Sequence, residues 1–590
     1  TIYTYKNWTF QQQILWNRSF NSVHSFNVLL SHENYSYRSD YTSTSKTTEA
    51  FPNVYALSNF SEMSSISGYK SRNRTESYLG RVQYNYDDRY NIEGSVRYDG
   101  SSRFAEKIRW GWFGSVGANW VFSNEKFAKD WSWLNSGKVY VNWGQVGNDA
   151  SAGTYAYYGL FTSSKNDSKP AYYLSQLPAN DLHWETGQSL GLGLEGRLFN
   201  RWNISIEYYD KRNKDLIFDV KSPASAGSTS NSSSGAVTTK NVGSISNRGI
   251  EINTDVDIFK NRDWKINFGL NLATLQNRVT KLPDEYKEYL YDKDEAGNIT
   301  SYYFTQDGRQ LYSNGTPYCG YGTLTSEGHS LYDRYWRHWE GVDQMTGLNL
   351  YTPNTIDYYY KDGDKIVGGI YGKDKDGKLV FSEKRSNPIP DEYLVKINGK
   401  YYVTNPTYAE REWRGDALPK VYGSFSLNLK YKGVSLNSIF SYSLGGNVYD
   451  SNYYTLMDVS STSPSNKSPE LLKGWMGVPE GMTETSPDRI SRTAIPMVNS
   501  TIEAWNENTS DRWLQSRNYL CLKNINIAYD FPRTLIKKIG LTGLQINASC
   551  ENLVTFTALK GMNPMMGLSG SQSNYMVPAR TFIFGLTVNL

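Results

Sequence analysis

The 590-residue sequence predicts an all-β chain: a transmembrane antiparallel β-barrel of about 16 strands with long extracellular loops, occupying 1–590 throughout. Three observations carry that expectation. Apolar and polar residues alternate with period two from one end to the other. The alternating runs are about 9–12 residues long, the length that crosses a tilted bilayer, where ordinary strands run about 5–6. Tight polar turns alternate with long loops rich in Ser, Gly, Asn, Tyr and Asp.

Composition supports the same class. Tyr 48, Phe 22 and Trp 17 make 15% of the chain aromatic, while mean hydropathy is −0.60. That pairing suits neither a disordered chain nor a helical membrane protein. No apolar stretch approaches the ~18 residues of a membrane helix. Strands that show lipid every second residue escape this test. With 62 Lys+Arg against 58 Asp+Glu, bulk charge gives no reason to expect nucleic acid as a partner. Cys319, Cys521 and Cys550 are too scattered for a disulfide framework or a CxxC metal site. The sequence opens at Thr1 without a leader, so either a signal has been removed or the sequence starts partway through a longer protein.

The strands follow in order. Tyr78, Gly80, Val82, Tyr84 and Tyr86 share a face opposite Arg81, Gln83, Asn85 and Asp87; Ile92, Val96 and Tyr98 oppose Glu93, Ser95 and Arg97. Leu190–Leu198, Trp202–Tyr208, Ile250–Ile258, Trp264–Leu272, Val421–Tyr431 and Phe582–Leu590 repeat the scheme. Aromatic rings gather at the ends of these runs (Tyr84, Tyr86, Tyr98, Trp112, Trp120, Trp202, Trp264), where interfacial girdles lie. A water-soluble sheet with one dry face is the competing reading, and strand length argues against it. Asp87–Tyr90, Asn200–Arg201, Lys260–Asp263 and Lys432–Gly433 read as tight turns; 39–74, 148–180, 221–236, 276–334, 353–415 and 450–516 read as long loops, with 221–236 a flexible tip. No segment reads as a separate globular domain.

Chemistry-bearing motifs are few. His24, His32, His183, His329 and His338 have no paired ligand spacing, and GxSxG, Walker and dinucleotide fingerprints are absent. The expectation is no cofactor, no metal and no catalytic residue. Asp255/Asp257 fall on the polar face of a strand and read as water lining. Asp292/Asp294/Gly297, Asp362/Asp364 and Asp374/Asp376/Gly377 resemble the start of a calcium loop but lack the closing Glu, so they read as solvated turns. Loop aromatics are the candidate ligand contacts: Tyr157 and Tyr158, Trp336 and Trp339, and Tyr358, Tyr359 and Tyr360. Such rings stack on sugars or grip peptides, or else pack the loops together.

A family resemblance rests on ordered motifs. Tyr78–Phe122 carries RYDGSSRF at Arg97–Phe104 and RWGWFGS at Arg109–Ser115. WGQVGN (Trp143–Asn148), LHWET (Leu182–Thr186) and NVGSISNRGIE (Asn241–Glu251) follow. Then come GVDQMTG (Gly341–Gly347), GDALPKVYGSF (Gly415–Phe425) and ENLVTFTALKGMNP (Glu551–Pro564). The set resembles the barrel of SusC-like (RagA-type) TonB-dependent outer-membrane transporters of Bacteroidota. The terminal strand ending at Leu590 departs modestly from that family's usual closing Phe. Within the motifs, Asp99, Gly100, Ser101, Ser102, Arg103 and Phe104 read as turn chemistry at a strand end. Asn247, Arg248 and Gly249 read as a strand restart, and Glu551, Asn552 and Leu553 complete the structural set.

The resemblance implies a barrel of about 22 strands around a plug, so the sequence would be a C-terminal portion without the N-terminal extension, plug and first strands. It also implies multi-pass residence in the cell outer membrane and contact with its lipid. Partners would be a SusD-like surface lipoprotein, a separate plug-bearing N-terminal portion and TonB–ExbB–ExbD acting through the plug. The role would be import of oligosaccharide or peptide, without covalent chemistry. The alternatives are a scaffold in an outer-membrane assembly or secretion complex, and a soluble glycan binder or glycosidase.

Overall fold

The computed structural model describes residues 1–167, 169–221, 237–321, 324–459, 466–499, 509–560, 563–565, 571–572 and 578–590. The expected tip at 222–236 and part of the last motif lie outside the described residues. Two units emerge: Thr1–Asn200 with Ser205–Ser246, and Arg201–Ile204 with Asn247–Leu590.

The first unit carries β1 (Ile2–Phe20), β2 (His24–Glu49), β3 (Phe60–Tyr86), β4 (Tyr90–Ser101), β5 (Trp110–Trp120), β6 (Leu134–Asn148), β7 (Glu185–Leu198) and β8 (Trp202–Lys214), hydrogen-bonded in chain order. The second carries β9 (Ser244–Lys260), β10 (Trp264–Thr274), β11 (Val421–Tyr431), β12 (Val434–Leu444), β13 (Tyr519–Asp530), β14 (Gly543–Thr557) and β15 (Thr581–Asn589), again in chain order, with Gln276–Lys281 beside β9. Together the ladders hold sixteen strands among the described residues, the number the alternation predicts. Every expected strand is present. The β1–β2, β3–β4 and β7–β8 turns each hold two successive residues at positive φ (Asn21 and Ser22, Asp87 and Asp88, Phe199 and Asn200), the backbone that suits tight hairpins.

Register sorts the first unit into cross-strand rows. Phe20–His24–Tyr86–Tyr90–Trp120 forms one edge of an apolar band. Trp16–Val28–Val82–Gly94–Val116 and Ile14–Leu30–Gly80–Val96–Gly114 fill it, and Gln12–His32–Tyr78–Tyr98–Trp112 closes it. Leu30, Val82, Val96 and Val116 are about half exposed, as side chains meant for lipid would be. The closing row holds two ring pairs, His32 with Tyr78 at 4.8 Å and Tyr98 with Trp112 at 4.3 Å. Arg18 lies in the band one row from its edge, with its guanidinium 5.9 Å from the Phe20 ring, the posture of a side chain snorkelling to an interface. In the second unit Leu544, Ile546 and Ala548 face Val588, Leu586 and Phe584 in the same manner.

Two expectations need correction. Residues 39–74 are not a loop: β2 and β3 continue to Glu49 and from Phe60, paired almost without interruption. Their Ser, Thr and Tyr residues favour strands without alternating in polarity, so the period-two test misses them. The Tyr3, Tyr41 and Tyr69 rings pack tilted against one another across this extension at 4.6 and 4.9 Å. The long loops of the second unit also carry folded structure. Leu394–Ile397, Lys400–Val403, Asn349–Tyr351, Trp339–Asp343 and Ile490–Ser491 form a five-stranded sheet. Val342, Tyr351 and Val403 are fully buried on it with Trp339, Ile389 and Ala409, a dry core inside what the sequence presents as loop.

Candidate functional site: a polar wall and its loops

The strand faces opposite the apolar band are lined with amides and charges. In the first unit the row Ser19–Ser25–Asn85–Asn91–Asn119–Tyr140–Gly193 is in register across seven strands. Its members bond sideways: Ser19 with Ser25 at 3.0 Å, Asn85 to Asn91 at 2.5 Å, Asn91 to Asn119 at 2.9 Å. Next to it Asn27 donates to Asn17 at 2.6 Å and Gln83 to Glu93, while Lys138 pairs with Glu195 at 2.8 Å. The Tyr140 hydroxyl donates to Glu207 at 2.7 Å, and its ring lies where a Cβ on Gly193 would stand only 2.1 Å from it; glycine is what lets the ring lie flat. These rows border an open concavity of about 830 Å³. An amide presents a donor and an acceptor together, so the wall offers both to whatever passes.

The second unit repeats the wall. Asn267 donates to Asp255 at 3.0 Å and to Asp257 at 3.2 Å, Asn428 to Asn267 at 3.0 Å, and Asn271 to Asn253. Asp255 and Asp257 are thus held by a neighbouring amide on the polar face.

The motif residues pin loops to strand ends. Asp99 accepts from Arg97 Nε at 2.7 Å, and the Trp110 ring covers Gly100. Ser101, 1% exposed, donates to Asp149 at 2.6 Å. Ser102 Oγ accepts the Arg74 amide at 2.9 Å. Arg103 reaches the Ala152 carbonyl, and Phe104 is buried with Ala152, Ala156, Ala179, Leu182 and Ile217. The LHWET segment joins there: Trp184 Nε1 donates to the Arg109 carbonyl at 2.8 Å, and buried Glu185 accepts the Ile217 amide at 2.8 Å. Asn247, Arg248 and Gly249 do not restart a strand; β9 runs through them, and Asn247 accepts from Asn277 Nδ2 at 2.7 Å. Asn552, at φ 51°, makes the bulge that shifts the β13–β14 register between Glu551 and Val554 (Leu553 between them), and accepts from Lys523 at 2.8 Å.

The loop aromatics divide. Tyr158 is half exposed, its ring 4.0 Å from that of Tyr157, and burial together with Tyr158 pushes the Tyr157 hydroxyl up to about 12. Trp336 is half-buried, edge-on to Tyr449 at 5.2 Å and under the Arg334 guanidinium at 4.9 Å. Trp339 is 7% exposed; its indole N–H donates to Asn349 at 2.9 Å inside the core. Tyr358, Tyr359 and Tyr360 are half-buried against Tyr408, Phe381 and Tyr401 at 5.0, 5.0 and 4.7 Å. Of these candidates Tyr158 is the most open, Trp339 is buried, and the other five are half-buried.

Two charged groups escape sequence reasoning. Fully buried Asp343, in the GVDQMTG motif, accepts from Arg489 at 2.8 and 3.1 Å, from the Met345 amide at 3.0 Å and from the Thr346 hydroxyl at 3.0 Å. The D-x-x-T spacing signals the turn, but nothing marks a partner 146 residues away. Glu410 is held up at about 7 by burial, with Glu412 adding to it. The acid-rich turns bind themselves: the Tyr303 hydroxyl and Arg385 hold Asp292 down at about 2, and Asp374 accepts the Asp376 and Lys378 amides at 3.0 and 2.8 Å.

Strands with one face for lipid and one for water, joined by tight turns on one side and folded loops on the other, define a membrane barrel wall. The profile described as TonB dependent receptor-like, beta-barrel matches residues 1–337, and the chain belongs to that family. It is 27% identical over 510 residues to TonB-dependent receptor P39 of Formosa agariphila, covering 84% of this chain and 44% of that protein. It is 25% identical over 530 residues to TonB-dependent receptor SusC of Bacteroides thetaiotaomicron, covering 88% and 44%. The RagAB peptide transporter structure shares the fold at TM-score 0.71 with 22% identity, over 100% of this chain and 56% of that one. The chain thus spans less than half the length of these curated relatives. The family resides in the outer membrane and comprises transporters and receptors.

Proposed function

We propose that this chain forms most of the wall and the outer mouth of a SusC-like import barrel in the outer membrane, passing oligosaccharide or peptide along its polar face. The observation that carries the reading is the pair of opposed row systems: continuous amide rows on one face of the same strands whose other face is an apolar band edged by rings. A 25%-identical relative named SusC supports the transporter class. A related structure titled a peptide transporter keeps peptide beside glycan as cargo. In this reading a plug-bearing N-terminal portion completes the barrel and takes the pull of TonB–ExbB–ExbD. A SusD-like lipoprotein closes the mouth, with Tyr157, Tyr158 and Trp336 on the cargo's path. No step involves bond chemistry.

The test is purification of the protein from outer membranes by a tag on this chain, together with uptake in cells lacking it. A SusD-like lipoprotein in the complex, and loss of growth on one glycan or peptide source, are the expected outcomes. Recovery with assembly or secretion factors and unchanged uptake would favour the scaffold role.

A further inference from the structure

Above the ring row Gln12–His32–Tyr78–Tyr98–Trp112 the outward face first carries Glu76, which accepts from the Tyr78 hydroxyl at 2.8 Å, and then turns cationic on β1–β3. Lys6, Arg38 and Arg72 stand directly opposite one another on three neighbouring strands. Arg74 lies in the adjacent row nearer the band; in the row beyond, Lys70 stands directly opposite Asp40. Like charges in opposite cross-strand positions repel, yet this row places three together. Arg38 has Asp40 of its own strand at 3.3 Å, while among the described residues neither Lys6 nor Arg72 has an ion pair. All three are exposed. Such a row is stable where an anion shared among the cations offsets their repulsion.

Immediately below the same ring row the apolar band is hollowed into a groove of about 720 Å³. Ile14, Leu30 and Val96 line it, Gly80 forms its floor, and Tyr78 and Trp112 stand at its rim. Gly80 holds ordinary backbone there: an added Cβ would meet Leu30 at 3.7 Å, so the hollow reflects a missing side chain and not a strained chain. The cationic row is six residues beyond the ring row, about 20 Å along the strand, and about 14 Å above it at the ~45° tilt of a membrane strand. Extended Arg and Lys side chains reach back over part of that distance.

The geometry points to a bound lipid: a phosphorylated, acylated lipid of the membrane's outer face, one acyl chain in the groove over Gly80 and its phosphate shared by Lys6, Arg38, Arg72 and Arg74. Two independent features, an apolar trough and a cation row, sit on the same strands at the two depths that one amphiphile occupies. The ring row between them lies at the level of the sugar or glycerol that joins its two ends. The site rests on the membrane-barrel reading and adds a specific ligand to it.

The test uses the protein carrying this chain, purified from outer membranes and reconstituted in nanodiscs of phosphatidylcholine doped with a phosphorylated lipid A or with its dephosphorylated form, and reads retained lipid by native mass spectrometry. The phosphorylated lipid is retained preferentially. The triple variant Lys6→Ala, Arg38→Ala, Arg72→Ala lowers retention roughly tenfold. Gly80→Leu, which fills the trough and leaves the charges untouched, lowers it comparably. Excess inorganic phosphate does not displace the lipid. Equal retention of both lipids, indifference to either variant, or displacement by inorganic phosphate each overturns the proposal. A chain that stays outside the disc defeats the barrel reading itself; one that enters and shows no headgroup preference defeats this site alone.

Discussion

Asp343 and Arg489 show how much of the loop architecture hangs on single charged contacts. Burying a carboxylate is tolerable because Arg489 meets it with two hydrogen bonds and the turn supplies two more. Asp343→Ala leaves the buried guanidinium only the Glu484 carbonyl to donate to and should cost about 3–5 kcal/mol locally. Limited proteolysis should then cut the 339–403 region in the variant under conditions that spare the parent. Glu410 makes a pH prediction. Its folded value, about 7, lies above the ordinary carboxyl value of 4.5. The folded loops therefore hold the proton more tightly than the unfolded chain between these values, and stability falls as pH rises through that window. Above it the penalty is on the order of 2 kcal/mol, after allowance for the part of the carboxyl that reaches water. Glu410→Gln should flatten the dependence of loop melting between pH 5 and pH 8 (both pH values approximate), and a variant that melts with the parent's pH slope would show that another group is responsible. Neither residue is marked in the sequence. Asp343 advertises a turn, but burial and a partner 146 residues distant arise only when the loops fold on one another.

The strands are where the sequence speaks most clearly. Lipid on one side and water on the other impose period two, and β4, β7, β9, β10, β11 and β15 follow it closely enough to be read directly. The same logic fails beyond the membrane. In β2 and β3 past Ser36 and Arg74, beyond the apolar band, polarity no longer alternates, and only the Ser, Thr and Tyr content hints at strand. The five-stranded loop sheet is hidden for a related reason, its strands being three to five residues long or less and paired across distant segments. Face assignment yields a paired substitution test. Leu190 stands in the middle outward row of the band, beside Trp143 and Val116; Leu190→Arg should cost about 2–4 kcal/mol at mid-membrane depth. Asn142→Lys, on the polar face, should stay within about 0.5 kcal/mol. Heat-modified electrophoretic mobility of the folded barrel separates the two outcomes. Gly193→Val adds a third case: with Tyr140 where the new Cβ must go, folded yield should drop sharply although a hydrophobic residue has replaced glycine.

At the scale of the molecule, the membership of the chain in the TonB-dependent receptor β-barrel family and its two row systems fit a single design, a wall whose strands are apolar on one face and polar on the other. The ring pairs at strand ends and the turn residues of the DGSSRF motif are legible as interfacial and turn chemistry, and the structure gives Asp99, Ser101, Ser102 and Arg103 partners at the strand ends, while Asn247, Arg248 and Gly249 lie inside a strand. The aromatic candidates were less legible, because an exposed ring and a core ring look alike in sequence: Trp339 fills a core while Tyr158 stays open. The central claim is tested most directly by nitroxide labels placed singly at Val82 and Gln83 of β3 in an otherwise cysteine-free chain in bilayers. Collision with oxygen, which concentrates in lipid, should broaden the signal at position 82. A water-soluble nickel chelate should act at position 83. The same accessibility at both neighbours, or the reverse assignment, would contradict the account.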